Sequence, residues 1–355
     1  MGVTITSYAP GRAELLGNHT DYNEGVALSV TVERGTTVVG SVRDDNRIHI
    51  VTETLGRQVT VDLRDLSPNP DEAWSNYPVG VVAEYLKRGF PLRGFELDIT
   101  SNLPLGAGLS SSASLSVATA LFLQAAFNLE VPRIETARIA RDAENNFAGI
   151  QCGLLDPISS LFSREDCVTF IDCRTFAVRH IPVPADVTFV VADSGVKHPH
   201  AEVAFADARE ACMNAAAVIR KPALRDVTLD ELDAHRLDLP DELYHRARHV
   251  VCENARVMQG VAALEEGDVR GFGKLMLASH ASSQRDFGNS CPELDELVDR
   301  ARCVPGCYGA RLSGRGFGGT TINCVSRGSV DVLQEVLDVR CFTTRAAQST
   351  LVIRG

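Results

Sequence analysis

Hydrophobic and polar positions along the chain change period several times, and each change marks an element. Over the first 66 residues, short Val/Ile/Thr runs alternate with turn clusters such as Asp44-Asp45-Asn46. The runs Val3–Tyr8, Ala27–Val32, Thr36–Val42, Arg47–Val51 and Val59–Leu63 predict strands, as does Gly94–Thr100. Helical spacing takes over at Trp74–Leu86, again at Leu115, Ala118, Leu121, Phe122 and Ala125, and at Ile134–Asn145. Val187–Ala192 predicts a strong strand that opens the second half. Helical patterns follow at His200–Ile219, Asp241–Glu265, Val269–Ala281 and Pro292–Ala301. Two further strands, Gly309–Ser313 and Thr320–Val325, are expected around a glycine cluster. Lys221–Pro240, rich in Asp and Leu, predicts a surface excursion. No repeat or low-complexity tract interrupts the chain.

With 355 residues the chain has room for about two domains, each with its own core. A formal charge of −11 argues against nucleic acid or an anionic membrane surface as a partner, because the long-range field repels polyanions. An anionic small molecule could still bind through local dipoles and a metal. Ten cysteines in so long a chain do not form a disulfide scaffold, and Cys303 and Cys307 have no second pair with which to build a zinc site. Free thiols in a reducing cytoplasm are expected. No apolar run approaches the ~18 residues of a membrane span, and the N-terminus lacks a secretory signal. The Met1-Gly2 myristoylation pattern and the Asn18-His19-Thr20 glycosylation pattern are discounted on that context. A cytoplasmic protein working on small molecules is the expectation, a monomer first, with an oligomer left open.

The stretch Leu103–Gln124 carries the first clear chemistry. Gly106, Gly108 and the run Ser110, Ser111, Ser112 lead straight into a helical pattern. A helix start offers unpaired N–H groups and a positive dipole end, glycines let the backbone approach an anion, and serines suit capping or phosphate contact. No Lys-Ser/Thr pair follows, so this is not a Walker loop. Residues 9–25 group Arg12, Glu14, Asn18, His19, Asp21 and Asn23 in what reads as a polar loop between strands. Asp156 stands among apolar neighbours after Gly153, where a carboxylate must be either partnered or at a cleft. Three other patterns fail. Gly314-x-Gly316-x-x-Gly319 precedes a strand and not the helix a dinucleotide fingerprint needs. Asp286-Phe287-Gly288 lacks the other protein-kinase blocks. His198 and His200 have no further metal ligands spaced near them.

Three blocks in order, GRAELLGNHTDYNEG (Gly11–Gly25), PLGAGLSSSAS (Pro104–Ser114) and GARLSGRGFGG (Gly309–Gly319), resemble the galactokinases of the GHMP small-molecule kinases. ENNFAGIQCGLLD, SGVKH, RARHVV and SCPELDEL resemble them too, so the likeness covers nearly the whole chain. It implies an α+β fold of two domains with the active site in the cleft between them. A mixed-sheet N-terminal domain with helices would span 1–185, and an α/β C-terminal domain 186–355, with the last strand free to return to the first domain. It implies transfer of the γ-phosphoryl of ATP, with Mg²⁺, to the anomeric-side hydroxyl of a free monosaccharide.

By the same resemblance, Asp156 is the catalytic aspartate and Arg12 its partner, one able to accept the hydroxyl proton and the other to stabilise developing charge. Ser112 and Glu144 match the Mg²⁺ ligands, and Trp74 falls near the adenine pocket. Gly106, Gly108, Ser110, Ser111 and Ser112 belong to the ATP loop. His19, Asp21 and Gly153 match sugar-contacting positions. The departures cluster on the sugar side. Asn18 stands where the family has a glutamate that accepts from the sugar's O6, and Phe205 where it has a tyrosine near O4. Pro157 replaces a glutamine, and Arg315 enters a motif that is normally glycine. The same chemistry on another hexose or a ketohexose is therefore an alternative. A catalytically inactive sugar and ATP sensor is a second, which the joint presence of Arg12, Asp156, Ser112 and Glu144 argues against.

Overall fold

The protein is described by a computed structural model covering residues 3–104, 106–197, 201–346 and 349–355. The first part of the chain forms strands β1 (Ile5–Leu16), β2 (Val26–Val42), β3 (Arg47–Thr52), β4 (Arg57–Asp62), β5 (Phe95–Ser101), β6 (Cys167–Asp172) and β7 (Val178–Pro182). Its helices are α1 (Asn76–Lys87), α2 (Ser111–Phe127), α3 (Arg133–Asp142) and α4 (Leu155–Leu161). The second part adds β8 (Val187–Lys197), β9 (Cys307–Ser313), β10 (Gly318–Ser326), β11 (Cys341–Thr344) and β12 (Leu351–Arg354). It also adds α5 (Ala201–Val218), α6 (Leu229–Ala234), α7 (Asp241–Glu265), α8 (Val269–Ser282), α9 (Pro292–Arg302) and α10 (Val330–Leu337).

The strands form two sheets. The larger runs β12-β1-β2-β5-β3-β4, with β6 pairing β2 and β7. It is mixed: β3 and β5 are parallel, whereas β1, β2 and β5 pair antiparallel. The smaller sheet runs β11-β8-β10-β9. The last strand does return to the first sheet, Ile5 facing Arg354 and Tyr8 facing Leu351. Behind the large sheet, α1 and α2 bury Val81, Val82, Tyr85, Val117, Phe122 and Leu123 against Ile48, Ile50 and Phe95. A second apolar core joins the two sheets, with Leu28 and Leu103 on one side and Phe189, Phe272 and Ile322 on the other. Apolar surface buried in common couples the two parts.

Several expected boundaries shift for identifiable reasons. Residues 9–16 are not loop: β1 continues to Leu16, with Arg12 and Glu14 alternating against the buried Ala13 and Leu15. The expected strands Ala27–Val32 and Thr36–Val42 are one strand, β2. Its pairing with β1 carries two register shifts, which bend the ladder where the chain enters the site. Lys221–Pro240 is no mere excursion, because Leu224, Leu232 and Leu239 are buried and α6 starts with a capping box of Thr228 and Glu231. The helix expected over Ile134–Asn145 ends at Asp142 and passes into a π-helical turn, Ala143–Ala148, that carries Glu144. Such turns often accompany functional sites. The rejected histidine pair, His198 and His200, lies outside the described residues.

Candidate active site

The site is built where β1, the start of α2, the start of α4 and the β9–β10 turn converge. Arg12 on β1 extends its guanidinium to the Asp156 carboxylate, with Nε 2.8 Å and Nη2 2.6 Å from Oδ1. Its third nitrogen, Nη1, donates to the Gly108 carbonyl at 2.8 Å. The Ser110 hydroxyl donates to Oδ2 of Asp156 at 2.6 Å. Asp156 is thus clamped on both oxygens while remaining 27% exposed, against 7% for Arg12. A charge-assisted clamp of this kind fixes orientation and leaves the carboxylate open to a ligand. The serine run suits capping or phosphate contact, but Ser110, at the N-cap position of α2, has φ 56°, makes no cap bond, and gives its hydroxyl to Asp156. The first N–H groups of α2 therefore have no side-chain cap at Ser110 and can face an anion.

Three clefts meet here. The smallest encloses about 400 Å³ and is lined by Arg12, Glu14, Asn18, His19, Asp21, Cys152, Gly153, Leu155, Asp156, Phe205, Gly314 and Arg315. A larger one of about 1160 Å³ shares Arg12, Asp156, Gly314 and Arg315 with it, and adds Gly106, Gly108, Ser110, Ser111, Ser112 and the turn up to Gly319. The third, an apolar slot of about 610 Å³, touches the second at Tyr77, Ser111 and Ser112 and carries Trp74, Leu55, Ile99 and Leu115. Trp74 is half-buried there, its indole N–H donating to Glu72 at 2.5 Å. A small chamber, a larger cleft at a helix start and an apolar slot thus lie in sequence, with Arg12 and Asp156 at the first junction.

Electrostatics single out the acids. Glu144, 3% exposed, has its pKa pushed up to about 7, first by burial and then by Asp156, with the Ser112 hydroxyl bonded to it pulling the other way. Burial and then the Asp156 charge also raise Asp21. Gly153 makes this approach possible, since a Cβ there would lie 2.3 Å from the Asp21 carboxylate. Burial raises Glu14, and Arg311 and Arg12 oppose it. His19 is held well below its ordinary range by burial and by His249 nearby.

The expected sugar-side residues are together, but several are bound to protein. His19 has Nδ1 2.9 Å from the Tyr22 hydroxyl and Nε2 3.2 Å from the Arg315 carbonyl, and it stacks on Phe287 at 4.0 Å. Phe205 is 8% exposed and packs edge-on to Tyr22, with the Arg315 guanidinium 4.6 Å above its ring. Asn18, 1% exposed, donates to Glu14 at 3.0 Å and to the Gly314 carbonyl at 2.7 Å. Its oxygen accepts from Asn289 at 2.9 Å and from Ser283 at 3.3 Å. An amide has two N–H donors and one carbonyl oxygen. Asn18 lines the chamber, then, but its carbonyl oxygen, which stands in for the family's glutamate acceptor, is already occupied.

Two residues were missed from sequence. Asn289, fully buried after the rejected Asp286-Phe287-Gly288, donates to Asn18 and to the Arg315 carbonyl at 3.0 Å, lies 3.0 Å from His19 Nε2, and so pins the β9–β10 turn to the chamber. Gly316 packs against its backbone, where a Cβ would meet the Asn289 carbonyl at 2.2 Å. Arg311 is a fully buried guanidinium 3.1 Å from Glu14 and 3.8 Å from Glu253. Burial alone would raise Glu253, but Arg256, with His249 and Arg311 behind it, brings it down to about 2. The only hint of this network was a charged residue inside each of three apolar-periodic segments.

Comparison with known proteins identifies the family and the fold. Family profiles described as GHMP kinases N terminal domain, galactokinase galactose-binding signature and GHMP kinases C terminal match residues 76–164, 2–42 and 261–337. The galactokinase of Roseiflexus sp. (strain RS-1) is 42% identical over 334 residues, 93% of this chain and 85% of that protein. The human galactokinase is 41% identical over 323 residues, 88% of this chain and 82% of that one. The crystal structure of Lactococcus lactis galactokinase complexed with galactose superposes with a TM-score of 0.93 at 29% identity, covering 98% of this chain and 95% of that one. A Methanococcus jannaschii mevalonate kinase, at 20% identity and a TM-score of 0.67, shares the fold.

Proposed function

The chain belongs to the galactokinase family of the GHMP kinases and is a sugar kinase; on that premise we propose that it transfers the γ-phosphoryl group of ATP to the C1 hydroxyl of free galactose. The observation that carries the reading is the junction of the two polar clefts at Arg12 and Asp156. A sugar in the small chamber would present a hydroxyl to Asp156. The carboxylate, held on both oxygens by Arg12 and Ser110, is oriented to take a hydrogen bond from that hydroxyl and its proton as the oxygen attacks phosphorus. Arg12, buried and anchored through Gly108, keeps a fixed positive charge beside the group in flight. Gly106, Gly108, Ser111 and Ser112 would receive the phosphates on the α2 N-terminus, and Trp74 would pack against the base.

The Ser112 hydroxyl and the buried Glu144 carboxylate form a pair of hard oxygen donors, a set that fits Mg²⁺. When bound, the ion would neutralise charge on the phosphates. All ten cysteines are unpaired, which supports a reducing compartment such as the cytoplasm. Among the described residues no helix is long and apolar enough to cross a membrane. The test is ADP release by the purified protein with ATP and Mg²⁺ across galactose, glucose, mannose, fructose, tagatose and arabinose. Galactose should give the highest kcat/KM. A better ketohexose or second aldohexose would overturn the substrate assignment, and ADP release unmoved by any sugar would overturn the kinase reading in favour of a sensor.

A further inference from the structure

Glu14 is a buried carboxylate that the reaction above does not use. It sits two residues from Arg12 on β1, where pairing with β2 runs without a shift: Arg12 with Thr31, Ala13 with Val30, Glu14 with Ser29. Side chains two apart on a strand share a face and stand about 7 Å from each other. Both line the small chamber. With Arg12 marking the reacting end, a hexose ring lying along the strand would bring a hydroxyl on its far side to Glu14.

The Glu14 carboxylate is tethered through one oxygen. Oε1 accepts from Arg311 at 3.1 Å and from Asn18 at 3.0 Å. Among the described residues Oε2 takes no hydrogen bond, yet it is not one of the sealed buried atoms that lack a partner. It therefore meets the chamber. A desolvated carboxylate oxygen facing a cavity is an acceptor that needs a donor. Asn18 cannot compete for the same hydroxyl, because both its donors and its oxygen are engaged by protein groups.

We infer that Glu14 is the specificity-determining carboxylate that reads a sugar hydroxyl remote from Asp156, with Asn18 as the positioning residue that holds it. The inference rests on the sugar-kinase reading. It moves the charged acceptor of the chamber from position 18 to position 14, so the amide at 18 costs the site no charge. A site built to bond a hydroxyl in this way discriminates strongly against substrates that lack it.

The experiment compares wild type and Glu14→Gln on galactose and on its 2-, 3-, 4- and 6-deoxy analogues, reading kcat/KM by ADP release. Glu14→Gln should lose about 10- to 100-fold on galactose, mostly in KM. It should lose almost nothing further on the one analogue whose missing hydroxyl is the partner of Glu14. Equal losses on every analogue would make Glu14 only a counter-ion of Arg311 and overturn the assignment, as would an unchanged KM for galactose. If Glu14→Gln does not fold, Glu14→Asp keeps the charge facing Arg311 and withdraws it by one methylene. It must show the same analogue-selective loss, and a uniform loss overturns the assignment equally. A wild type that phosphorylates no sugar would sink the parent reading and this one with it. A wild type active on galactose with a flat variant pattern sinks only the role of Glu14.

Discussion

Substituting Asn18→Glu would bring position 18 into line with the family pattern, and the structure predicts that it damages the protein. The wild-type amide makes two donations, to Glu14 Oε1 and to the Gly314 carbonyl, that a carboxylate cannot make. The first loss leaves Glu14 Oε1 with Arg311 as its remaining donor, and the second strips the Gly314 carbonyl of its side-chain donor, at about 1–3 kcal/mol. The new carboxylate would also face that of Glu14, and the pair could persist only by taking up a proton. The acceptor bonds from Asn289 and Ser283 would survive. The net expectation is a loss of about 3 kcal/mol, a large share of the ~5–15 kcal/mol typical of a folded protein. Urea unfolding of wild type, Asn18→Glu, Glu14→Asn and the exchanged double variant forms a thermodynamic cycle. The double variant should recover most of the loss, because exchanging the two residues restores one acid and one amide at the pair. Unchanged stability in Asn18→Glu together with a lower KM for galactose would refute the reasoning. It would mean that the Asn18 bonds are dispensable and that position 18 is the natural place for the charge.

Three further outcomes are expected. Asp156→Asn should lower kcat by about 10²–10⁴-fold, while calorimetry still detects sugar binding, because Arg12 and Ser110 remain to hold an amide; retained turnover would remove Asp156 from its role. Ser112→Ala should weaken ATP binding roughly tenfold with Mg²⁺ present and little without it, the loss of one charge-assisted bond; equal effects in both conditions would contradict the metal assignment. Stability should fall in acid: burial holds His249 and His280 near 4 in the fold, against about 6.5 unfolded. From pH 6.5 down to 4 the unfolded chain takes up protons that the fold refuses. Each residue then removes up to about 3 kcal/mol. His249→Asn should flatten the slope of unfolding free energy across that window, and an unaltered slope would show that His249 is not responsible.

Periodicity made the long elements legible. The helix Asp241–Glu265 was expected with its observed bounds, because apolar positions recur along it for seven turns. Elements failed to announce themselves where function interrupts the period. Arg12 and Glu14 made the end of β1 look like loop, since a strand lining a polar chamber presents charge on the face that normally buries hydrocarbon. The start of α4, Leu155-Asp156-Pro157, was invisible as a helix: seven residues carry too little pattern. Arg12 and Asp156 are 144 positions apart, and only the family resemblance linked them before the fold brought them within 2.6 Å. The Glu14–Arg311–Glu253 network and Asn289 had no such aid. Their partners come from three distant segments, and no local spacing encodes a tertiary ion pair.

The central claim is that the Arg12–Asp156 junction directs phosphoryl transfer to the anomeric oxygen of the sugar. Phosphorus NMR of the product formed from galactose, ATP and Mg²⁺ tests it most directly. A single new phosphate resonance coupled to the anomeric proton, on a sugar that no longer reduces copper, is the predicted result. A phosphate on any other carbon with reducing power intact, or ATP consumed with no phosphosugar formed, would contradict it.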